Sequence, residues 1–298
     1  MELRHIRYFL AVAEERNFTR AAARVGIGQP PLSQQIRDLE REVGALLFRR
    51  VPSGAELTEA GRAFLEEAMN ILRHAEQAKT AARRAARGET GTLRVGFTSS
   101  AAFNPIVTSA IRAFRRAYPG VALVLEEANT LRLLERLEGG ELDGVFIRPG
   151  RTDPEGVRLY RLGEEPMLIV MPSNHPLASR RRLPLSALSG EPFVLFPRAV
   201  GLSLYDEVVS ACQRVGFEPV LGQEAPQISS VVNLVAAELG VSVVPASISQ
   251  LKVAGVEYLG IEGDAPLARL ALATRRDERS IVVKNFTALV AAEHRAVV

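Results

Sequence analysis

The sequence is poor in the residues that form disulfides, metal sites or membrane spans. Cys212 is the single cysteine among 298 residues, which excludes an internal disulfide and a multi-cysteine metal cage. The four histidines are scattered without metal-ligand spacing, so we expect no metal ion. No apolar run approaches the length of a membrane span, and charged residues follow Met1 in place of a signal-peptide core. These absences predict a soluble protein of the cytoplasm that does not contact membranes.

Motifs of enzyme chemistry are absent as well. The sequence has no Gly-rich phosphate loop and no nucleophile elbow, so we expect neither an enzyme nor a bound cofactor. What the sequence does show is an uneven distribution of charge. Residues 1–87 carry 15 basic and 11 acidic side chains, while the rest of the chain is close to neutral. A mildly basic N-terminal part, on a chain long enough for two or three domains, is typical of nucleic-acid contact confined to one end.

The N-terminal segment has the pattern of two short helices joined by a tight turn. Asn17 or Thr19 is suited to cap the first helix, and Gly26 and Gly28 then interrupt it. Pro30 fits the first turn of a second helix, where its missing N–H group costs nothing. This arrangement predicts a helix-turn-helix whose second helix enters the major groove of DNA.

The second of these helices carries one apolar and one polar face. Its apolar stripe steps by four, three and four residues, through Leu32, Ile36, Leu39 and Val43. Its opposite face presents side chains that hydrogen-bond phosphates and base edges, namely Ser33, Gln34, Arg37 and Arg41. We therefore expect the start of this helix to meet base pairs.

A basic hairpin follows. Residues 46–50 and 55–58 have the pattern of strands on either side of a turn-rich tip. Such a wing would lay Arg49, Arg50 and Ser53 along a phosphate backbone or in a minor groove. The alternative is that the two arginines are only a solvated basic pair.

A long helix is predicted from Arg62 to Arg87, with Thr58 as its cap. Small and apolar residues form a heptad seam along it, at Phe64, Ala68, Ile71, Ala75, Ala78, Ala82 and Ala85. A lone helix with so narrow a stripe would be marginally stable, so we expect it to pair with a second subunit. The alternative is that the seam packs against its own chain.

Beyond a hinge at residues 88–92, the pattern alternates between strand and helix. The predicted strands are 93–97, 121–126, 144–147, 193–196, 220–223, 241–244 and 267–274, and the predicted helices are 103–118, 131–137, 204–215, 228–239 and 281–293. This alternation predicts a mostly parallel sheet that is covered on both faces. Near residues 164–171 the chain is expected to cross into a second lobe, from which the last strand returns to the first.

Three strand ends point to one binding site. Ser99 and Ser100 follow the first strand, Thr130 follows the second, and Arg148 ends the third. In open α/β sheets, ligands bind beyond the carboxyl ends of the strands. These hydroxyls and this guanidinium therefore predict a pocket for a small organic acid. The alternative is that the hydroxyls only cap helices and that Arg148 forms a surface ion pair.

The N-terminal segment, closed by Leu57–Gly61, closely resembles the DNA-binding domain of LysR-type bacterial transcriptional regulators. Later segments (Leu93–Phe97, Asn174–Ala178 and Val243–Pro245) are similar to that family's effector domain. The resemblance implies an N-terminal all-α winged helix-turn-helix, a long linker helix and a C-terminal α/β two-lobed effector domain like the periplasmic binding proteins. It also implies a homotetramer, built as a dimer of dimers, that contacts RNA polymerase.

Single residues can be assigned on this basis. The predicted contacts to double-stranded promoter DNA are Thr19, Arg20, Gln29, Pro30, Pro31, Ser33, Gln34, Arg37, Arg49, Arg50 and Ser53. By resemblance, regulators of aromatic-acid degradation hold their effectors at the positions of Ser100, Thr130, Arg148, Leu202 and Leu204. Together with Ser99, these residues form the predicted effector site.

The expected organisation has four segments. They are a DNA-binding domain at 1–58, a dimerisation helix at 59–87, a hinge at 88–92 and an effector domain at 93–298, with lobe I at 93–163 and 269–298 and lobe II at 164–268. The predicted function is a regulator that binds inverted-repeat promoter DNA and alters transcription when a small organic acid binds, such as an aromatic acid or its degradation product. Two alternatives stay open: a redox-responsive regulator that signals through Cys212, and a solute-binding α/β protein without DNA activity.

Overall fold

The computed structural model describes residues 1–52, 54–150 and 152–297, and the chain divides into two compact units, Met1–Arg84 and Ala85–Val298. The first unit consists of a helix-turn-helix, a two-stranded wing and most of a long helix. Its elements are α1 (Leu3–Glu15), α2 (Phe18–Val25), α3 (Gln29–Val43), β1 (Phe48–Val51), β2 (Gly54–Leu57) and α4 (Glu59–Ala86). Ser53, a predicted DNA contact, lies outside the described residues.

The apolar stripe of α3 packs into the core of the first unit. Leu32, Ile36 and Leu39 are at most 2% exposed, which confirms the prediction at three of its four positions. Val43 is 39% exposed. It is the last residue of α3 and lies beyond the edge of the core.

Helix α4 begins three residues earlier than predicted, because Thr58 caps it. The Thr58 Oγ1 accepts the N–H of Gly61 at 2.9 Å, which confirms Thr58 as the cap. In the first half of the heptad seam, Phe64, Ala68 and Ile71 pack against the core of the first unit. This half therefore packs on its own chain, whereas the seam positions after Ala75 are exposed in the single chain.

The second unit alternates strands and helices and includes two 3-10 helices, Leu185–Leu188 and Ala246–Gln250. Its strands are β3 (Gly91–Phe97), β4 (Val121–Glu127), β5 (Gly144–Ile147), β6 (Val157–Pro172), β7 (Arg182–Pro184), β8 (Pro192–Leu195), β9 (Val220–Glu224), β10 (Ser242–Pro245), β11 (Val256–Glu262) and β12 (Leu267–Arg275). Its helices are α5 (Ser99–Ala102), α6 (Pro105–Ala117), α7 (Thr130–Glu138), α8 (Leu202–Arg214), α9 (Ile228–Ala236) and α10 (Ile281–Val297).

The main sheet is mixed, so the prediction of a mostly parallel sheet was wrong. Its strand order is β4-β3-β5-β12-β6-β11-β7, and β10 also pairs with β6. Strands β4, β3 and β5 are parallel neighbours, but β12 runs antiparallel to both β5 and β6. The difference arises because the returning strand β12 lies between β5 and the 16-residue strand β6 and pairs antiparallel with both. The carboxyl ends of β3, β4 and β5 still meet at one edge of the sheet.

The apolar core changes along these two long strands. On β6, Leu162 belongs to the cluster beneath α6 and α10, whereas Met167 belongs to the cluster beneath α8 and α9. On β12, Leu270 belongs to the first cluster and Ala268 to the second. The apolar core of the second unit therefore divides at these positions, and a third cluster, which includes Leu133, Val157 and Ala273, lies beneath α7.

Candidate nucleic-acid interface and effector cavity

The turn between α2 and α3 is built by local capping. The Asn17 Oδ1 accepts the N–H groups of Thr19 (2.9 Å) and Arg20 (3.1 Å), so Asn17 rather than Thr19 is the cap of α2. The Thr19 and Arg20 side chains are exposed, and Arg20 Nη2 donates to the carbonyl oxygen of Glu15 at 2.6 Å. Gly26 ends α2 with a φ of 74°, a left-handed conformation that favours glycine.

The start of α3 needs no side-chain cap. Pro30 and Pro31 have no N–H groups, so the first turn leaves few donors unsatisfied, and both prolines are exposed. Gln29 is half-buried, and its Nε2 donates to the Ser33 Oγ at 2.8 Å. Ser33 is only 5% exposed, so the expectation that it lies on the exposed polar face was wrong. It lies at the edge of the buried stripe, beneath the Gln29 amide.

The exposed face of α3 carries a row of hydrogen-bonded polar groups. Arg37 Nη2 donates to Gln34 Oε1 at 2.7 Å, and Gln34 Nε2 donates to Asp38 Oδ1 at 2.9 Å. Arg41 Nη1 also reaches Asp38 Oδ1, at 3.1 Å. Contacts between exposed groups at this spacing are weak. DNA can therefore replace them at small cost while they hold the side chains in defined orientations.

The wing places two arginines on its surface. Strands β1 and β2 pair with Arg49 opposite Glu56, and Arg49 donates to Glu56 Oε2 through Nε (3.0 Å) and Nη2 (2.6 Å). The Cζ atom of Arg50 lies 5.4 Å from the centre of the Phe18 ring, in a cation–π geometry. Both arginines are exposed. Arg49 is thus oriented by a carboxylate and Arg50 by an aromatic ring.

Glu40 connects α3 to the wing, which the sequence pattern did not reveal. Its Oε1 accepts the N–H groups of Leu47 (2.8 Å) and Phe48 (3.0 Å), both of which are buried residues. A glutamate in the last full turn of a polar helix face gives no signal in a single sequence, because its partners are backbone groups outside the helix. The carboxylate nevertheless fixes the entry of the wing.

The effector region begins where β3 and β5 end. The N–H of Thr98 donates to the carbonyl oxygen of Phe146 at 3.1 Å, which joins the two strand ends. A short helix, α5, follows, and α6 begins only at Pro105, where Asn104 Oδ1 accepts the N–H of Ile106 at 3.0 Å. The predicted start of this helix at residue 103 was wrong, because Asn104 caps a separate helix.

Helix α7 supplies the second element of the region. Asn129 Oδ1 accepts the N–H of Arg132 at 2.9 Å and so caps α7, which places Thr130 in its first turn. Helix α8 adds a third element, because Ser203 Oγ donates to the carbonyl oxygen of Arg148 at 2.8 Å. Gly201, which precedes α8, lies against Phe196. A Cβ at this position would be 2.6 Å from the ring, so only glycine fits.

A cavity of about 240 Å³ lies among these strand ends and helix starts. It is lined by Thr98, Ser99, Ser100, Glu127, Ala128, Asn129, Thr130, Arg148, Phe196, Val200, Gly201, Ser203, Leu204, Pro226, Gln227 and Ile228. The structure therefore brings together five of the six predicted effector residues. The sixth, Leu202, is 44% exposed and lines an adjoining cavity of about 700 Å³.

Arg148 is engaged within the protein. Its guanidinium is buried, and Nη2 donates to Glu165 Oε1 at 2.8 Å and to the carbonyl oxygen of Ser100 at 3.0 Å. Burial lowers the pKa of Arg148 below its ordinary value, and the carboxylate of Glu165 opposes this shift. Arg148, a predicted effector-binding residue, thus lines the cavity with its guanidinium paired to Glu165.

The sequence analysis did not predict some of the residues that line the cavity. Glu127 is the last residue of β4, and Gln227 directly precedes α9, so extending the strand-end argument to every strand and helix start would have found both. Phe196 and Pro226 gave no such signal. Glu165 gave none either, since it lies 17 residues from Arg148 on another strand.

Other reactive groups are few in the part of the chain that the structure describes. No group of three or more His, Cys, Asp or Glu side chains there is placed to hold a metal ion, and no helix there combines the length and apolarity needed to cross a membrane. Cys212 is fully buried, and burial raises the pKa of its thiol to about 11.

A winged helix-turn-helix unit joined to a two-lobed α/β unit with a cavity at its strand ends defines a ligand-responsive DNA-binding protein. Residues 3–62 match the bacterial regulatory helix-turn-helix protein, lysR family, and residues 86–295 match the LysR substrate binding domain. The chain therefore belongs to the LysR family: it is a LysR-type transcriptional regulator with a DNA-binding and an effector-binding domain.

Three known relatives each match at least 96% of the chain. The transcriptional regulator BudR of Raoultella terrigena is 42% identical over 286 residues, which cover 96% of this chain and 99% of BudR. CatR of Pseudomonas putida is 36% identical over 293 residues, covering 98% and 99%. The crystal structure of full-length CbnR complexed with its target DNA gives a TM-score of 0.87 at 27% identity, covering 99% of this chain and 100% of CbnR. These matches confirm the predicted fold class.

Proposed function

We propose that this regulator binds an inverted repeat in promoter DNA through the start of α3 and the wing. Gln29, Pro30, Pro31 and Gln34 meet base pairs and neighbouring phosphates, and the exposed guanidinium groups of Arg37, Arg49 and Arg50 hold the backbone. Thr19 and Arg20 contact the backbone from the start of α2. The exposed polar row along α3, beside a basic wing, is the observation that carries this proposal. The buried Ser33 acts through Gln29, whose amide it orients.

A gel shift with the intergenic DNA upstream of this protein's own gene tests the proposal. Retention of that DNA, competed poorly by unrelated duplex, supports it. Failure to retain any chromosomal fragment at low salt would refute it and restore the alternative of a solute-binding protein, which the match of residues 3–62 to a regulatory helix-turn-helix argues against.

Gln34→Ala is expected to weaken specific binding by about 1–3 kcal/mol, because one amide that reads a base edge is lost. Non-specific affinity should stay the same. Competition gel shifts with operator and scrambled duplex measure both values. Gln77→Ala, at an exposed glutamine of α4, is the matched control. Equal operator affinity for Gln34→Ala and Gln77→Ala would remove the proposed role.

Arg49→Ala is expected to lower the affinity for every DNA sequence and to reduce the slope of log K against log salt by about 0.9, the effect of one lost phosphate contact. Glu56→Gln should act in the opposite direction, because it removes the carboxylate that competes with phosphate for Arg49. Fluorescence anisotropy across a salt series measures the slope, with Arg73→Ala on α4 as the control. An unchanged slope for Arg49→Ala contradicts the contact.

The exposed half of the α4 seam supports pairing between subunits. Ala78, Ala82 and Ala85 present small side chains that permit close approach of a second α4. A dimer formed in this way carries two copies of α3 for the two half-sites of an inverted repeat. We extend the proposal to a dimer of dimers that acts in the cytoplasm and contacts RNA polymerase at the promoter.

The effector in this proposal is a small organic acid, such as an aromatic acid or a degradation product of one, bound in the 240 Å³ cavity. Four residues with hydroxyl groups line the cavity besides Thr98, namely Ser99, Ser100, Thr130 and Ser203. Binding between the lobes shifts their relative position and thereby the promoter DNA contacts. A thermal-shift screen of aliphatic and aromatic acids tests this, since a true effector raises the melting temperature in a dose-dependent way.

The redox alternative makes a separate prediction at Cys212. With its pKa raised to about 11, the thiol stays protonated at neutral pH, and its complete burial keeps oxidants away. Hydrogen peroxide should therefore leave promoter binding by the wild-type protein unchanged. A peroxide-dependent change in the gel shift that disappears in Cys212→Ala would favour the redox alternative.

A further inference from the structure

Arg148 is the only basic residue among the described residues that line the 240 Å³ cavity. All five of its N–H donors face acceptors within the protein. Nη2 reaches Ser100 O and Glu165, Nε reaches Ser100 Oγ at 3.4 Å, and Nη1 reaches the carbonyl oxygens of Ala268 and Arg269 at 3.4 Å each. The single positive charge of the cavity wall is therefore already paired.

Glu165 is held firmly in the position that neutralises Arg148. Its Oε1 also accepts from Asn104 Nδ2 (3.1 Å) and Ser247 Oγ (3.1 Å), and its Oε2 accepts from the N–H of Ser247 (2.6 Å). These donors come from the start of α6 and from the 3-10 helix that follows β10, on two sides of the carboxylate. An arriving ligand would have to break this network to reach the charge of Arg148.

A second carboxylate acts at the same cavity. Glu127 lines it and is exposed, and its carboxylate has no hydrogen-bond or ion-pair partner among the described residues. Counting Glu165 behind the wall, the site thus holds two carboxylates against one guanidinium. A second ligand carboxylate would find no free cation among the described residues of this cavity and would lie next to Glu127, which is costly in a partly closed site.

We propose that Glu165 and Glu127 restrict the effector to small acids with a single carboxylate, and that Glu165 is the residue that sets this charge preference. The assignment depends on the proposed acid-binding role of the cavity. The lone carboxylate is bound by the neutral hydroxyls of Ser100 and Thr130, and the rest of the ligand lies toward Phe196 and Ile228. Arg148 positions Ser100 from behind and does not bind the ligand.

Pairs of probes that differ by one carboxylate test this proposal. Crotonate and fumarate form one pair, and benzoate and terephthalate form the other. Isothermal titration of the full-length protein should give an affinity at least about tenfold higher for the monoacid in one or both pairs. In Glu165→Gln the ratio should fall by about tenfold, because Arg148 regains an uncompensated charge. Glu164→Gln is the matched control, since Glu164 pairs with Arg269 at 3.0 Å and does not contact Arg148.

Glu165 is largely buried, so thermal unfolding and promoter gel shifts establish that Glu165→Gln is folded. Two results do not depend on that variant. The wild-type ratio stands alone, and Glu127→Gln, at an exposed position, should raise affinity for the diacids without loss of stability. A wild-type preference for the diacid, or an unchanged ratio in both folded variants, overturns the charge assignment and leaves acid-responsive DNA binding intact. Failure of every acid to bind, with promoter retention preserved, overturns the proposed acid effector itself.

Discussion

Glu40→Ala is expected to lower the free energy of unfolding of the DNA-binding unit by about 2–6 kcal/mol and to reduce promoter affinity at least about tenfold. The carboxylate accepts two N–H groups at the entry of the wing, from Leu47 and Phe48. Alanine leaves both without a partner in a region where the side chains are buried, and each unsatisfied group costs about 1–3 kcal/mol. The same contact fixes the position of the wing relative to α3. Without it, the two DNA-contacting elements are no longer held in a fixed orientation to each other.

Thermal unfolding and gel shifts on the same preparations measure the two effects. Glu40→Gln should be intermediate, since it keeps one oxygen acceptor but loses the charge. Glu42→Ala, at an exposed glutamate two residues further along α3 whose carboxylate pairs with the exposed N-terminal amine, should change little. If Glu40→Ala binds promoter DNA as tightly as Glu42→Ala, then the wing does not need this carboxylate and its proposed place in the interface is wrong.

The local signals of the sequence were sufficient to locate the DNA-binding helices. A cap at Asn17, a glycine break at Gly26 and a proline start at Pro30 each act within one turn of the chain, so they need no knowledge of distant residues. Periodicity alone did not decide whether a polar residue at the edge of the apolar stripe of α3 is buried or exposed. Ser33 lies only about 60° around the helix from Ile36, whereas Gln34 lies about 160° away. This difference explains why Gln34 is exposed and Ser33 is buried.

The effector cavity shows the corresponding limit. The rule that ligands bind at strand ends found Ser99, Ser100, Thr130 and Arg148, because it depends only on the order of strands and helices. It could not find the partner of Arg148. Glu165 stands in the middle of β6, and nothing in a single sequence shows that this strand runs beside β12 and brings its carboxylate behind the cavity wall. The neutralisation of Arg148 by Glu165 could therefore not be predicted from the sequence.

Phe9→Ala and Phe286→Ala are expected to destabilise different parts of the protein, each by about 3–5 kcal/mol. Phe9 is fully buried in the first unit, with its ring centre 5.1 Å from that of Phe48 and 4.9 Å from that of Phe64. Phe286 is fully buried in the second unit, 5.3 Å from Phe114. Each alanine leaves a ring-sized cavity within one unit.

Differential scanning calorimetry with effector and promoter titrations separates the two outcomes. Phe9→Ala should lower one unfolding transition and weaken promoter binding, while the affinity for a bound acid stays the same. Phe286→Ala should lower the temperature of the other unfolding transition and weaken acid binding. The affinity of the effector-free protein for promoter DNA should stay the same. Phe9→Leu and Phe286→Leu, which keep most of the buried volume, should show smaller shifts in the same directions. A single transition that both alanine variants lower equally would show that the two units unfold together, and the effector would then act on DNA binding through one cooperative structure.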